Sequence, residues 1–239
     1  MPNSYFQFKQ FIINQDRCAM KVCTDACLFG AWVADKLAHV DSIQNILDIG
    51  TGTGLLSLML AQKIEANIDA IELNKEAARQ AEENFTASPW KDRLQVYLAD
   101  INEFDPPKKY DCIISNPPFF QDDLKSENAS KNAAKHDTTL TLDKLVMQMK
   151  RLLSEDGLGA ILIPFHRAEY LRELLKKNDF YIREILDVKQ TVTHGFFRTM
   201  LIFSRKPAAL IAEQLHIHDA QRQYTEAFSS LLKDYYLKL

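Results

Sequence analysis

Three of the chain's seven glycines fall within five positions, at Gly50, Gly52 and Gly54. Before them runs Asn45-Ile46-Leu47-Asp48-Ile49, which reads as a buried strand. After them comes Leu55 to Ile64, apolar enough for a helix that packs on a sheet. Glycines clustered so tightly mark a backbone that needs positive φ or close approach of another group. A strand, such a turn and a helix in succession form the first unit of a parallel α/β sheet. The turn also gathers the free N–H groups and the positive dipole end of the helix, where a polar ligand is stabilised.

The unit repeats. Ile68 to Glu72 is a second strand, followed by a helix over 75–87; Leu94 to Ala99 is a third, closed by Asp100. Cys112-Ile113-Ile114 is a fourth and runs into Ser115-Asn116-Pro117-Pro118-Phe119-Phe120. Two prolines without N–H groups end that strand. Strand ends one to four thus carry Asp48 with Gly50, Glu72, Asp100 and Asn116, all at the edge where open α/β sheets bind ligands. A carboxylate at the position of Glu72 suits paired ribose hydroxyls. Asp100 and the Ile101 N–H suit the amino group and ring of an adenine. Asn116 offers an oxygen acceptor and Phe119 a flat apolar face, which suit a planar base with an exocyclic amine. The dinucleotide pattern Gly-x-Gly-x-x-Gly fails in both registers, since Leu55 or Ser57 stands where its third glycine belongs.

Residues 121–138 are polar, with Leu124 as the one large apolar side chain, and carry Lys125, Lys131, Lys135 and His136. A loop of that length beside the Asn-Pro-Pro-Phe element reads as a substrate-binding lid or as a flexible insertion. A helix over 141–153, a strand from Leu158 to Phe165 and a helix over 167–178 follow. Phe180 to Val188 and Thr199 to Ser204 then read as strands with no helix between them, hence antiparallel. Gln190 to Arg198 joins them and holds His194, Phe197 and Arg198 as further substrate candidates. Residues 5–22 read as a hairpin or extended arm. Thr24 and Asp25 offer a cap for a helix with Leu28, Phe29, Trp32, Val33 and Leu37 on its apolar face. Tyr224 to Leu239 reads as a terminal helix.

The chain of 239 residues, 46% hydrophobic and 26% charged, suffices for one large α/β domain. No apolar run approaches a membrane span and the N-terminus lacks a secretory pattern, which points to the cytoplasm. The cysteines, Cys18, Cys23, Cys27 and Cys112, include no Cys-x-x-Cys, and His216-x-His218 has no evident third ligand, so no metal is expected. Net charge is −3, but unevenly spread: residues 46–116 hold 7 basic against 12 acidic side chains, and residues 117–206 hold 15 against 12. A basic excess after Asn116 is compatible with a phosphate backbone and equally with an ordinary solvated surface.

Nearly end to end, the sequence resembles the bacterial tRNA1(Val) adenine-37 N6-methyltransferase family. The resemblance rests on Phe8 to Phe11, Asn14 to Val22, Thr24-Asp25, Gly30-Ala31-Trp32, Asp48 to Gly54, Ser88-Pro89-Trp90, Ile114 to Phe119 and Tyr224 to Ala227. It implies a class I, Rossmann-like methyltransferase with a seven-stranded sheet, a final antiparallel hairpin and an N-terminal extension. One domain would cover 1–239, with arm and helix in 1–40, core sheet in 41–206 and a C-terminal extension in 207–239. The implied cofactor is S-adenosylmethionine, held by Asp48, Gly50, Gly52, Gly54, Glu72, Asp100, Ile101 and Asn116, with Lys21, Thr24 and Asp25 at its methionyl end. Asn116, Pro117 and Phe119 would carry the chemistry, and Lys131, Lys135, His136 and Arg198 would meet a tRNA substrate. No DNA or membrane partner is implied, and the protein is expected to be a monomer. Cys23 and Ala26 stand where the family commonly has glycine. Guanine N2 methylation of rRNA, glutamine methylation of a protein and a non-catalytic RNA-binding module remain the alternatives.

Overall fold

The structure, a computed structural model, describes residues 3–18, 20–40, 42–118 and 140–239. A short hairpin of β1 (Tyr5–Gln7) and β2 (Ile12–Asn14) opens the chain, followed by α1 (Thr24–Leu37). Two β–α repeats and a third strand come next: β3 (Asn45–Ile49) with α2 (Leu55–Ala61), β4 (Asn67–Glu72) with α3 (Lys75–Thr86), and β5 (Leu94–Leu98). Then β6 (Tyr110–Ser115), α4 (Leu142–Leu152), β7 (Leu153–Pro164) and α5 (Ala168–Lys177) lead to β8 (Tyr181–Thr191) and β9 (Phe196–Ser204). The chain closes with β10 (Ile211–His218) and α6 (Glu226–Leu232).

The main sheet has the order β10-β8-β9-β7-β6-β3-β4-β5. Every neighbouring pair is parallel except the two that β9 makes, with β7 and with β8. The chain works outward from β3 to β5 and then returns to place β6 on the other flank of β3. That reversal puts a topological switch point between the carboxyl ends of β3 and β6. The expected α/β architecture with its β8–β9 antiparallel pair is present.

Successive side chains of a strand leave on opposite faces, so strands covered on both sides read as unbroken apolar runs. Ile46, Cys112, Ile114 and Ile202 join one core with α1, α2 and α6. Leu47, Ile113, Leu201 and Phe203 join the other, with α4 and α5. Gly159 is required by that packing, since a Cβ there would lie 2.3 Å from the Phe203 ring. Helix starts follow local chemistry: Asn74 accepts from the N–H groups of Glu76 and Ala77 at 3.0 and 3.1 Å, and Thr141 and Thr225 cap α4 and α6.

Three local expectations are corrected. Thr24 is the first residue of α1, and its N-cap is Cys23, which makes no side-chain capping bond; Asp25 is engaged elsewhere, as described below. Residues 207–218, read as part of a tail, contribute an eighth strand, β10, parallel to β8. Only Leu215 and Ile217 of that strand are buried, so its alternation is too short to announce itself. The terminal helix spans Glu226–Leu232 rather than 224–239. Beyond it, buried Tyr235 donates to the Met59 carbonyl at 3.0 Å while its own carbonyl accepts from Lys9 N–H, and these long-range bonds draw the backbone out of the helix. Among the described residues, no helix is long and apolar enough to cross a membrane.

Candidate active site

Register brings the strand ends abreast. Ile49 pairs with Ile71 of β4 and Ser115 of β6, so Gly50 stands level with Glu72 on one side and Asn116 on the other. Neighbouring strands lie about 4.8 Å apart. The Ser115 hydroxyl donates to the Ile49 carbonyl at 2.8 Å and locks β6 to β3 at this level.

The turn after β3 holds Gly50, Gly52 and Gly54 at φ of 74, 57 and 83°, which L side chains rarely adopt. At Gly50 and Gly52 an added Cβ would meet nothing within 4 Å, so the backbone borders open space there. At Gly54 it would lie 2.5 Å from the Phe85 ring, so that glycine also serves the contact between turn and α3. Beneath the turn, Asp48 is fully buried, and its Oδ2 accepts from the hydroxyls of Thr51 and Ser57, both at 2.7 Å. Its Oδ1 is buried and has no hydrogen-bond partner among the described residues. Burial pushes the Asp48 carboxyl up to about 6, against the pull of the two hydroxyls.

Glu72 is gripped by backbone: Oε2 accepts from Gly52 N–H and Oε1 from Asn74 N–H, each at 2.9 Å. Each oxygen keeps a further lone pair for a ligand. Asp100 Oδ1 accepts from the N–H and the side-chain amide of Asn102 at 2.9 and 2.8 Å, and Ile101 is buried beside it. The strands β4 and β5 therefore lead into carboxylates, Glu72 and Asp100, held in fixed orientation.

The anchor of that turn escaped the sequence reading. Asn84 on α3, 1% exposed, donates to the Thr53 carbonyl at 2.8 Å and to the Asn14 carbonyl at 2.9 Å. Its Oδ1 accepts from Asn14 N–H at 2.9 Å. Gln80, one turn earlier and equally buried, accepts from Arg17 N–H at 3.0 Å. The two amides clamp the N-terminal arm against the glycine turn. A signal existed: Gln80 and Asn84 share a helix face with Ala77, Ala81 and Phe85, and polar residues on a buried face need partners.

On the β6 side, Asn116 is half-buried, and its buried Oδ1 has no hydrogen-bond partner among the described residues. Pro117 and Pro118 line a small pocket with Leu140, Ile163, Pro164 and Arg167. Phe119, Lys131, Lys135 and His136, together with Leu124 and Lys125, lie outside the described residues. Arg198 stands on β9 opposite Pro164, at this same edge, and its Nε donates to Asp25 Oδ2 at 2.7 Å. The cofactor candidate Asp25 and the substrate candidate Arg198 thus form one ion pair. Lys21 is exposed and donates to the Asn3 carbonyl at 3.1 Å. Thr24 lies half-buried one residue before Asp25.

Among the described residues no cluster of ligating side chains could hold a metal ion. Burial pushes the thiols of Cys23 and Cys27 up to about 12, which keeps them protonated and poor ligands. His218 stacks on Tyr224, with ring centroids 4.9 Å apart, rather than joining His216. The arrangement can hold a ligand with a diol and an adenine along Glu72 and Asp100. Beside that ligand, the free oxygen of Asn116 can meet an amine.

The family described as "Methyltransferase small domain" matches residues 21–177. A tRNA1(Val) (adenine(37)-N6)-methyltransferase of Bacteroides thetaiotaomicron is 42% identical, with all of both chains covered. The protein of that name from Pectobacterium carotovorum is 41% identical over 97% of this chain and 93% of its own. Among solved structures, a predicted O-methyltransferase from Agrobacterium tumefaciens superposes with a TM-score of 0.69 at 17% identity, covering 88% of this chain and 96% of its own.

Proposed function

This chain belongs to the tRNA1(Val) (adenine(37)-N6)-methyltransferase family, and from that premise we propose that its site methylates the exocyclic N6 of adenine 37 in a valine tRNA. The observation that carries the proposal is the buried Oδ1 of Asn116 at the switch point, level with the glycine turn and without a hydrogen-bond partner among the described residues.

The residues present fit S-adenosylmethionine. Open space borders Gly50 and Gly52, Glu72 retains acceptor capacity for ribose hydroxyls, and Asp100 with the Ile101 N–H suits an adenine. Asp48 holds the turn through Thr51 and Ser57, and its other oxygen has no hydrogen-bond partner among the described residues. By family resemblance Lys21, Thr24 and Asp25 serve the methionyl end, with Asp25 oriented by Arg198. When bound, S-adenosylmethionine supplies a methyl group on a positively charged sulfur, an electrophile whose leaving group is a neutral thioether.

The chain's own task is to prepare the amine. The lone pair of an adenine amino group is delocalised into the ring and is a poor nucleophile. Asn116 Oδ1 and the Pro117 carbonyl accept hydrogen bonds from N6 and favour a tetrahedral nitrogen, which localises the pair. Phe119 would stack on the base, a contact worth ~1–3 kcal/mol. Fixed acceptors and a fixed approach line supply the acceleration. The methylated nitrogen, cationic at first, is acidic and gives its proton to solvent, so no strong base is required. An anticodon-loop base is already unpaired, which lowers the cost of bringing it into the site. The reading places the protein in the cytoplasm, acting as a monomer.

The test is methyl transfer from labelled S-adenosylmethionine to total tRNA and, in parallel, to rRNA, with the modified nucleoside identified. N6-methyladenosine in tRNA, abolished by Asn116→Ala, supports the proposal. N2-methylguanosine in rRNA would overturn it in favour of that substrate.

A further inference from the structure

We propose that Phe165 and Phe196, flanked by Lys189, form a stacking subsite for an unpaired base next to the one that is methylated. This inference rests on the RNA substrate proposed above. Phe165 directly follows Pro164, which lines the same pocket as Pro117 and Pro118. Ser115 is level with Ile161, so Phe165 lies one strand over and about 10 Å beyond Asn116 along the strand direction. That separation is within one or two splayed nucleotide steps. The Phe165 and Phe196 rings are 5.0 Å apart and inclined by 30°, and Phe165 is 38% exposed. The Lys189 ammonium lies 4.5 Å from the centre of the Phe196 ring.

A lone exposed aromatic would need no explanation. Here the exposure is selective. The pair formed by Phe180, just before β8, and Phe203 of β9, with centroids 4.9 Å apart, is only 4% and 0% exposed. The rim is also electrostatically suited to a phosphate backbone. Exposed His166 and half-buried Lys189 stand on it, while Asp25 is engaged by Arg198 and Asp187 by the Thr199 hydroxyl at 2.6 Å. Exposed aromatic faces next to cations are how proteins take up single-stranded RNA, because every base offers a π-face. In the sequence Phe196 lies within the Gln190–Arg198 segment read as a loop, where His194, Phe197 and Arg198 stood out instead, and Lys189 falls just before it; only the turn after Pro164 brings Phe165 beside them.

The experiment measures binding of a labelled anticodon stem-loop, and KM for tRNA and for S-adenosylmethionine, in wild type, Phe165→Ala, Phe165→Leu and Phe165→Trp. Circular dichroism melts establish that each variant folds. Alanine and leucine should weaken RNA binding about 5- to 100-fold and raise KM for tRNA alike. Tryptophan should restore both, and KM for S-adenosylmethionine should not move. A second arm uses stem-loops with an abasic site on either side of adenine 37. One of these should cost wild type as much as Phe165→Ala costs, with no further loss when the two are combined. Wild type that methylates adenine 37 while Phe165→Ala binds RNA equally well would overturn the subsite and leave the proposed function standing. Wild type that neither binds nor methylates the RNA would overturn both.

Discussion

Replacing Asp48 by asparagine removes a charge from a fully buried carboxylate while keeping its shape. Burial raises the Asp48 carboxyl from its ordinary 3.8 to about 6, in spite of the Thr51 and Ser57 donors. Between those two values the folded protein holds a proton that the unfolded chain has released. Stability from this group is therefore full at low pH and is lost as pH rises through about 6. Across the whole titration the difference amounts to about 3 kcal/mol. Of that, about 1.3 kcal/mol falls between roughly pH 5 and pH 7. The assay is urea unfolding of wild type and Asp48→Asn at matched ionic strength over that range. Subtracting one curve from the other cancels the remaining titrating groups. Wild type should lose about 1.3 kcal/mol relative to the variant on going from pH 5 to pH 7. A flat difference, or one of opposite sign, would refute the claim that Asp48 is held at a net electrostatic cost beneath the turn.

Gly54→Ala places a Cβ 2.5 Å from Phe85 at a φ of 83° and should cost ~2–4 kcal/mol. Gly50→Ala meets only open space and should cost ~1–2 kcal/mol from backbone strain, while calorimetry should show cofactor binding lost in both. Asn84→Ala removes three hydrogen bonds of a buried amide, and denaturant unfolding should record a loss of ~2–4 kcal/mol; calorimetry should also show weaker cofactor binding, because Thr53 loses its anchor. A double-mutant cycle on Asp25 and Arg198, whose side chains are 12% and 25% exposed, should return a coupling of ~1–2 kcal/mol. A coupling near zero would mean that the pair does not orient Asp25.

What was legible in the chain follows from local rules. The positive-φ glycines, the strand runs and the prolines after Asn116 each act on their own neighbourhood, so their outcome could be read position by position. Glu72 and Asp100 were placed correctly at strand ends because parallel strands joined by helices must all end on one edge. Two local readings failed where distant groups competed. Asp25 was expected to cap α1 but pairs with Arg198, 173 positions away. The last turns of the terminal helix give way to bonds from Tyr235 to Met59 and from Lys9 to Tyr235.

The sequence by itself determined a parallel α/β sheet with a glycine turn after β3 and a row of carboxylates and one carboxamide along its carboxyl edge. Periodicity and turn chemistry suffice for that, since they act within a few residues. Only the tertiary structure decided which buried oxygens stay free. Among the described residues Asp48 and Asn116 each keep one unpartnered oxygen, whereas Asn84 is satisfied by Asn14 and Thr53. It also decided that an eighth strand joins the sheet and that Phe165, Phe196 and Lys189 share one rim. A hydrogen bond or ring contact depends on which surfaces meet once both cores are buried. That is settled by the packing of segments far apart in the chain, which no local pattern records.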